Sequence, residues 1–180
     1  RPNAPPGLSA QQQQALQQWQ QQPEIRQWLL WGVTGSGKTE VYLRCCQQVL
    51  EQGHSVLLLT PEIGLVPQLL QRCRQRFGDR VISFPSGLSD GERIKAWRRC
   101  RQGGANVVVG TRSAIFLPMP QLGLIVLDEE HDSSYKQESP MPCYHARDVA
   151  RIRMELEGAR LLFGSATPRL ENWVSSQQDN

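Results

Sequence analysis

Eight consecutive residues carry the strongest chemical signal in the chain: Gly32-Val33-Thr34-Gly35-Ser36-Gly37-Lys38-Thr39, the pattern G-x-x-x-x-G-K-T. Glycines at this spacing let the backbone curl until its N–H groups face a phosphate, and a helix opening just after them adds positive potential at the same point. Gly32, Val33, Thr34, Gly35, Ser36, Gly37, Lys38 and Thr39 are therefore the expected nucleotide-binding residues. The Lys38 ammonium should reach the outer phosphates and the Thr39 hydroxyl should hold magnesium. A glycine-rich turn beside a surface lysine is the plainer reading, but it explains neither the apolar run before the motif nor the amphipathic stretch after it.

A second cluster follows Leu124-Ile125-Val126-Leu127, an apolar run that ends in Asp128-Glu129-Glu130-His131. It delivers carboxylates where α/β sheets place ligands. Asp128 is expected to coordinate the magnesium through water, and Glu129 to orient and deprotonate the water that attacks the terminal phosphate. Acidic clusters at strand ends are more often merely solvated; the phosphate loop about 90 residues earlier gives this one a catalytic reading. Three shorter segments also follow apolar runs. Gly164-Ser165-Ala166-Thr167-Pro168 is, alone, a strand-to-helix turn with hydroxyl caps. Thr60-Pro61-Glu62 and Gly110-Thr111-Arg112-Ser113 offer hydroxyls, amides and an arginine that could grip the phosphates of a nucleic-acid strand, and in isolation read as ordinary loops.

These segments need a scaffold, and the hydropathy pattern supplies one. Short apolar runs at Trp28 to Trp31, Ser55 to Leu59, Val81 to Phe84, Asn106 to Val109, Leu124 to Leu127 and Leu161 to Phe163 read as strands. Between them, helical stretches near 38–52, 63–77, 89–102 and 145–157 end at or just before Gly53, Gly78, Gly103 and Gly158. Runs apolar on both faces, alternating with helices, predict an α/β fold: a mostly parallel sheet with helices on both faces. Upstream, Ser9 caps a glutamine-rich helix through Gln22 whose main apolar contacts are Leu16 and Trp19. Residues 1–8, with three prolines and a glycine, read as a linker, and a last helix is expected after Pro168.

The chain has 180 residues, 39% of them hydrophobic, which suits one compact core, so a single domain over 9–180 is expected. The formal charge of +3, nearly all of its basic side arginine, argues only weakly for nucleic acid. Cys45, Cys46, Cys73, Cys100 and Cys143 form no C-x-x-C pair, so reduced thiols and no zinc site are expected here. No apolar run approaches the roughly 18 residues of a membrane span, which implies no membrane partner and a cytoplasmic location. A first residue of Arg1 suggests a piece of a longer protein.

Taken in order, Gly32 to Thr39, Thr60-Pro61-Glu62, Gly110-Thr111-Arg112, Asp128-Glu129-Glu130-His131 and Ser165-Ala166-Thr167 look like motifs I, Ia, Ib, II and III of superfamily 2 helicases. Longer words narrow the resemblance: Val33 through Tyr42, Pro61 through Leu65, Ser86 through Arg93, Asp128 through Gln137 and Tyr144-His145-Ala146-Arg147-Asp148 resemble the PriA family of primosomal replication-restart helicases. The likeness runs over roughly residues 8–173. Two places depart from the family pattern: Pro85 stands before Ser86-Gly87-Leu88 where a histidine is usual, and Cys143 precedes Tyr144 where an arginine is usual.

The resemblance implies the first RecA-like, P-loop lobe of a 3′–5′ DNA helicase with a DEEH box, using ATP and magnesium to restart stalled replication forks. Lys38, Asp128 and Glu129 would be catalytic, and Gln12 matches the upstream glutamine that such helicases use to sense adenine. His131, Ser165 and Thr167 fall where nucleotide state is coupled to neighbouring motifs. The segment from Asp132 to Arg147 is similar to the loop that couples DNA binding to hydrolysis. Candidate DNA contacts are thus Pro61, Glu62, Thr111, Arg112, Tyr135, Lys136, Tyr144, His145 and Arg147. Implied partners are single-stranded or forked DNA, a second RecA-like lobe in cis, replication-restart proteins and single-strand binding protein; zinc is expected only in family modules outside this chain. The lobe alone should bind ATP but hydrolyse it poorly and unwind nothing, since its partner lobe supplies the transition-state arginines. Two other readings are another superfamily 2 translocase and a non-hydrolysing interaction module.

Overall fold

The computed structural model describes residues 7–31 and 36–165; Gly32, Val33, Thr34 and Gly35, the side chain of Ser36, residues 1–6 of the expected linker, and Thr167 with the helix expected after Pro168 lie outside the described residues. Six strands form one parallel sheet: β1 (Gln27–Trp31), β2 (Ser55–Leu59), β3 (Val81–Phe84), β4 (Val107–Gly110), β5 (Leu122–Leu127) and β8 (Arg160–Ser165), in the order β1-β8-β5-β2-β4-β3. Each is one of the predicted runs. Residues Val56 to Leu59 of β2 and Leu124 to Leu127 of β5 are wholly buried because these central strands are covered on both faces, which is why their sequences do not alternate with polar residues.

Alternate positions nonetheless face different cores. Leu57, Leu59, Val108, Ile125, Leu127, Leu161 and Phe163 meet Ala146, Ala150 and Met154 of α5 (Ala146–Glu157), together with Ala114 and Ile115 of a 3-10 helix, Arg112–Phe116. Val56, Leu58, Val109, Leu124, Val126 and Leu162 meet α1 (Ala10–Gln21), α2 (Ser36–Glu51) and α3 (Val66–Phe77). On the first side lies α4 (Asp90–Arg101), which buries only Cys100. Helix ends follow the predicted glycines: Gly158 is left-handed at φ +75° and its N–H closes α5 on the Met154 carbonyl. The helix expected from residue 63 instead starts at Val66, after a 3-10 turn at Ile63–Leu65; Pro67 suits the first turn, where its missing N–H costs nothing.

Two polar devices tie these layers together. Arg160, at the start of β8, lays its guanidinium carbon 3.8 Å from the Trp19 ring centroid and donates to the carbonyls of Trp19, Gln22 and Ile25, anchoring the end of α1 to the sheet. Glu40 of α2 is buried and accepts from Arg44, Arg72 and Arg76, joining α2 to α3. Burial pushes the Glu40 carboxyl up, but the hydrogen bonds and charges of Arg76 and Arg44 outweigh it and hold the pKa below the ordinary value. Stability from this group is therefore full above the unfolded pKa and lost as pH falls through the folded one. Glu40→Gln should lose about 3 kcal/mol at pH 7 in denaturant melts, with the gap to wild type narrowing below about pH 4; a pH-independent gap would contradict the ion-pair account.

Candidate functional site

Because β8 lies between β1 and β5, three chain segments far apart in sequence leave the sheet side by side. Trp31 is paired with Ser165, and Leu127 with Phe163. The phosphate loop leaves β1, the acidic cluster leaves β5, and Ser165 ends β8. Helix α2 begins at Ser36, so Lys38 and Thr39 occupy its first turn, where backbone N–H groups have no partner within the helix.

Lys38 is 3% exposed, and its ammonium lies 3.3 Å from Asp128 Oδ1 and in an ion pair with Glu129 Oε1. The two predicted catalytic carboxylates therefore meet the predicted phosphate-binding cation. Glu129 adopts φ +49°, a left-handed conformation that a residue with a Cβ takes at a cost of about 1 kcal/mol. The strain turns its backbone sharply at the end of β5, and the Glu130 N–H then bonds back to the Gly164 carbonyl at 3.0 Å. Asp128 is fixed by its own N–H on the Leu59 carbonyl of β2 at 2.9 Å. Among the described residues no set of three acidic, histidine or cysteine side chains forms a metal cage. Thr39 and Asp128 offer a hydroxyl and a carboxylate, hard oxygen donors of the kind magnesium takes when phosphates and water complete its shell.

Several determinants went unread in the sequence. Tyr42, one turn after Lys38, is fully buried and donates to Asp128 Oδ1 at 2.7 Å. Burial, then the neighbouring Asp128 charge, pushes its phenol well above the usual range, so it stays a donor. Its hydroxyl fills the space in front of Gly164, where an added Cβ would lie 1.5 Å from the Tyr42 oxygen. Helical spacing does put Tyr42 on the Lys38 face, but nothing local reveals that β8 runs beneath it. On the α1 side, Gln12 Nε2 donates to the Gly37 carbonyl at 3.0 Å while Gln12 Oε1 accepts from Ser9 N at 2.7 Å. The expected adenine-side glutamine thus touches the phosphate-loop motif and closes the capping box that starts its own helix.

His131 and Ser165 are brought together, Nδ1 to Oγ at 3.4 Å, which links the acidic cluster to the end of β8. The segment after His131 departs from expectation. Tyr135 was expected to face DNA, but it is 0% exposed and its hydroxyl donates to the Asp128 and Leu59 carbonyls at 2.6 and 3.1 Å. It holds the turn after β5 and cannot stack on a base in this conformation. Thr111 is likewise buried, out of reach of a strand. Arg147 is engaged with the buried Glu130 carboxylate at 3.1 Å, and His145 Nδ1 accepts from the Arg147 N–H at 3.0 Å, capping α5 as a neutral ring. Burial, then the Arg147 charge, keeps the His145 pKa low, in agreement with that role.

Lys136, Tyr144 and Arg112 remain at the surface side of a small hairpin, β6 (Lys136–Gln137) with β7 (Tyr144–His145). Arg112 binds this hairpin through the Ser134 and Lys136 carbonyls and Gln137 Oε1, each at 3.2 Å. Pro61 and Glu62 sit beyond β2 at the same edge of the sheet, Glu62 exposed. Gly164→Ala should cost at least about 2 kcal/mol in thermal melts, because a methyl cannot share space with the Tyr42 hydroxyl. Adding Tyr42→Phe should recover part of that loss; strictly additive losses would contradict the contact.

The profile described as DEAD/DEAH box helicase matches residues 9–174. The chain is 56% identical over 168 residues to a protein of Synechocystis sp. named replication restart protein PriA, covering 93% of this chain and 20% of that protein. With the protein of the same name from Bacillus subtilis it shares 49% identity over 155 residues, 86% of this chain and 19% of the relative. It therefore spans about a fifth of the length of these relatives. Its fold matches that of RecG bound to a three-way DNA junction, with a TM-score of 0.70 at 24% identity over 96% of this chain and 23% of that one. A family match over nearly the whole chain, on a parallel sheet that gathers Lys38, Asp128 and Glu129 at its C-terminal edge, establishes that the chain belongs to the DEAD/DEAH box helicase family.

Proposed function

We propose that this chain is the ATP-binding motor lobe of a PriA-type 3′–5′ DNA helicase that restarts stalled replication forks. The observation that carries the reading is the meeting of Lys38 with Asp128 and Glu129 in a chain 56% identical to a replication restart protein. Lys38 is the switch. Its ammonium is held by the two carboxylates, and a terminal phosphate at the α2 N-terminus would compete with them for it. Glu129 is then free to orient water and take its proton, while Asp128, held by Tyr42, keeps an oxygen directed at the phosphates. Magnesium would be held by Thr39 and Asp128 and would neutralise charge on the bound phosphates. Gln12, fixed against Gly37, would read the adenine edge.

DNA would run along the C-terminal edge of the sheet past Pro61, Glu62, Arg112, Lys136 and Tyr144. A second RecA-like lobe would close on the site and supply transition-state arginines. Replication-restart proteins and single-strand binding protein would be partners of the longer protein, which would work in the cytoplasm. Among the described residues no helix is long and apolar enough to cross a membrane.

Titration with a fluorescent ATP analogue and magnesium tests the reading. Saturable binding should weaken at least about tenfold in Lys38→Ala, whereas Glu129→Gln should retain binding and lose about a hundredfold or more in hydrolysis by the longer protein. Equal binding by wild type and Lys38→Ala would overturn the assignment.

A further inference from the structure

Helix α4 buries only Cys100, and its residues Ile94, Trp97, Arg98 and Arg101 fall at i, i+3, i+4 and i+7, on one face. With Phe84 at the end of β3 and Phe116 of the Arg112–Phe116 helix, that face lines a hollow of about 320 Å³. Trp97 and Phe116 are 43% and 44% exposed, much for aromatic residues to leave against water. Arg93, whose guanidinium lies 5.7 Å from the Phe84 ring centroid, joins Arg98 and Arg101 on the rim. None of the three pairs with a carboxylate among the described residues. An aromatic floor with an unpaired cationic rim fits a ligand with flat apolar groups on an anionic backbone.

We propose that this hollow is a binding subsite for single-stranded DNA, with one base against Trp97 and Phe116 and the flanking phosphates on Arg93, Arg98 and Arg101. The inference rests on the DNA-translocase reading and extends it to a surface outside the helicase motifs. An acidic protein segment would also satisfy the arginines, but the position of the hollow favours the nucleic acid. It is lined by Phe84, the last residue of β3, and by Ser113 and Phe116 of the 3-10 helix that begins with Arg112, so it continues the edge along which the strand is proposed to run. Phe116 also meets the Tyr144 ring edge-on at 4.8 Å, and Tyr144 lies under the Arg112 guanidinium. A base pressed on Phe116 would thereby load the hairpin that follows the catalytic turn. Stacking of this kind tolerates any base, as a translocating motor requires.

The test measures single-stranded DNA affinity against salt for the protein and its variants. Trp97→Ala should weaken binding about tenfold, and Trp97→Phe should restore most of it. Arg98→Ala and Arg101→Ala should each flatten the plot of log affinity against log salt by about 0.7. A photoreactive thymine analogue in the strand should cross-link to the segments holding Trp97 or Phe116. Wild-type affinity and salt slope in all these variants, with cross-links confined to the Lys136 to Tyr144 hairpin, would overturn the subsite while leaving the translocase reading intact. Loss of binding to an acidic peptide, with DNA affinity unchanged, would reassign the hollow to a protein partner. Absence of any DNA binding by wild type would remove the translocase reading and this inference together.

Discussion

The Lys38 ammonium, withdrawn from water and shared by Asp128 and Glu129, is the interaction on which the rest of the structure turns. Removing one partner from a buried ion pair costs about 3–5 kcal/mol, so Lys38 can leave these carboxylates only for an anion of comparable strength. A nucleotide phosphate at the α2 N-terminus is such an anion, and the helix end that receives it already carries partial positive charge. In the proposed function, binding and activation would be one event, because the move that grips the phosphate would also uncover Glu129.

Holding this cluster in register requires supports from every layer. The β1-β8-β5 order sets the end of β1 one strand away from the acidic turn that follows β5. Tyr42 reaches from α2 to Asp128 across the bare backbone of Gly164, and Tyr135 clamps the Asp128 and Leu59 carbonyls from below. Glu40 ties α2 to α3, the helix that follows the Thr60-Pro61-Glu62 loop, while Arg160 and Trp19 hold α1 so that Gln12 meets Gly37. A displacement at the phosphate loop would thus be felt by α1, α3 and the end of β8 through polar contacts with fixed partners, which is what a motor lobe needs to transmit the nucleotide state.

The strands were legible because burial on both faces leaves unbroken apolar runs, and helix ends were legible because left-handed glycines are hard to replace. That Lys38 would face Asp128 and Glu129 could be read from their types and spacing alone. Tyr42, Arg160 and the true place of Tyr135 could not, since each acts across a crossover connection: Tyr42 on β5 and β8, Arg160 on α1, Tyr135 on the end of β2. Tyr135 looked like a surface ring because its neighbours are polar, yet a single buried hydroxyl that satisfies two carbonyls explains its position better than solvent does. The partner of Arg147 was not legible either, because nothing local shows that Glu130 is buried and takes the arginine's charge.

The most direct test is a structure of the protein with a non-hydrolysable ATP analogue and magnesium. The account predicts Lys38 Nζ within hydrogen-bonding distance of the outer phosphates and no longer paired with Glu129, with Asp128 still bonded to the Tyr42 hydroxyl. Nucleotide bound away from the α2 N-terminus, or bound there with Lys38 still bridging both carboxylates, would contradict it.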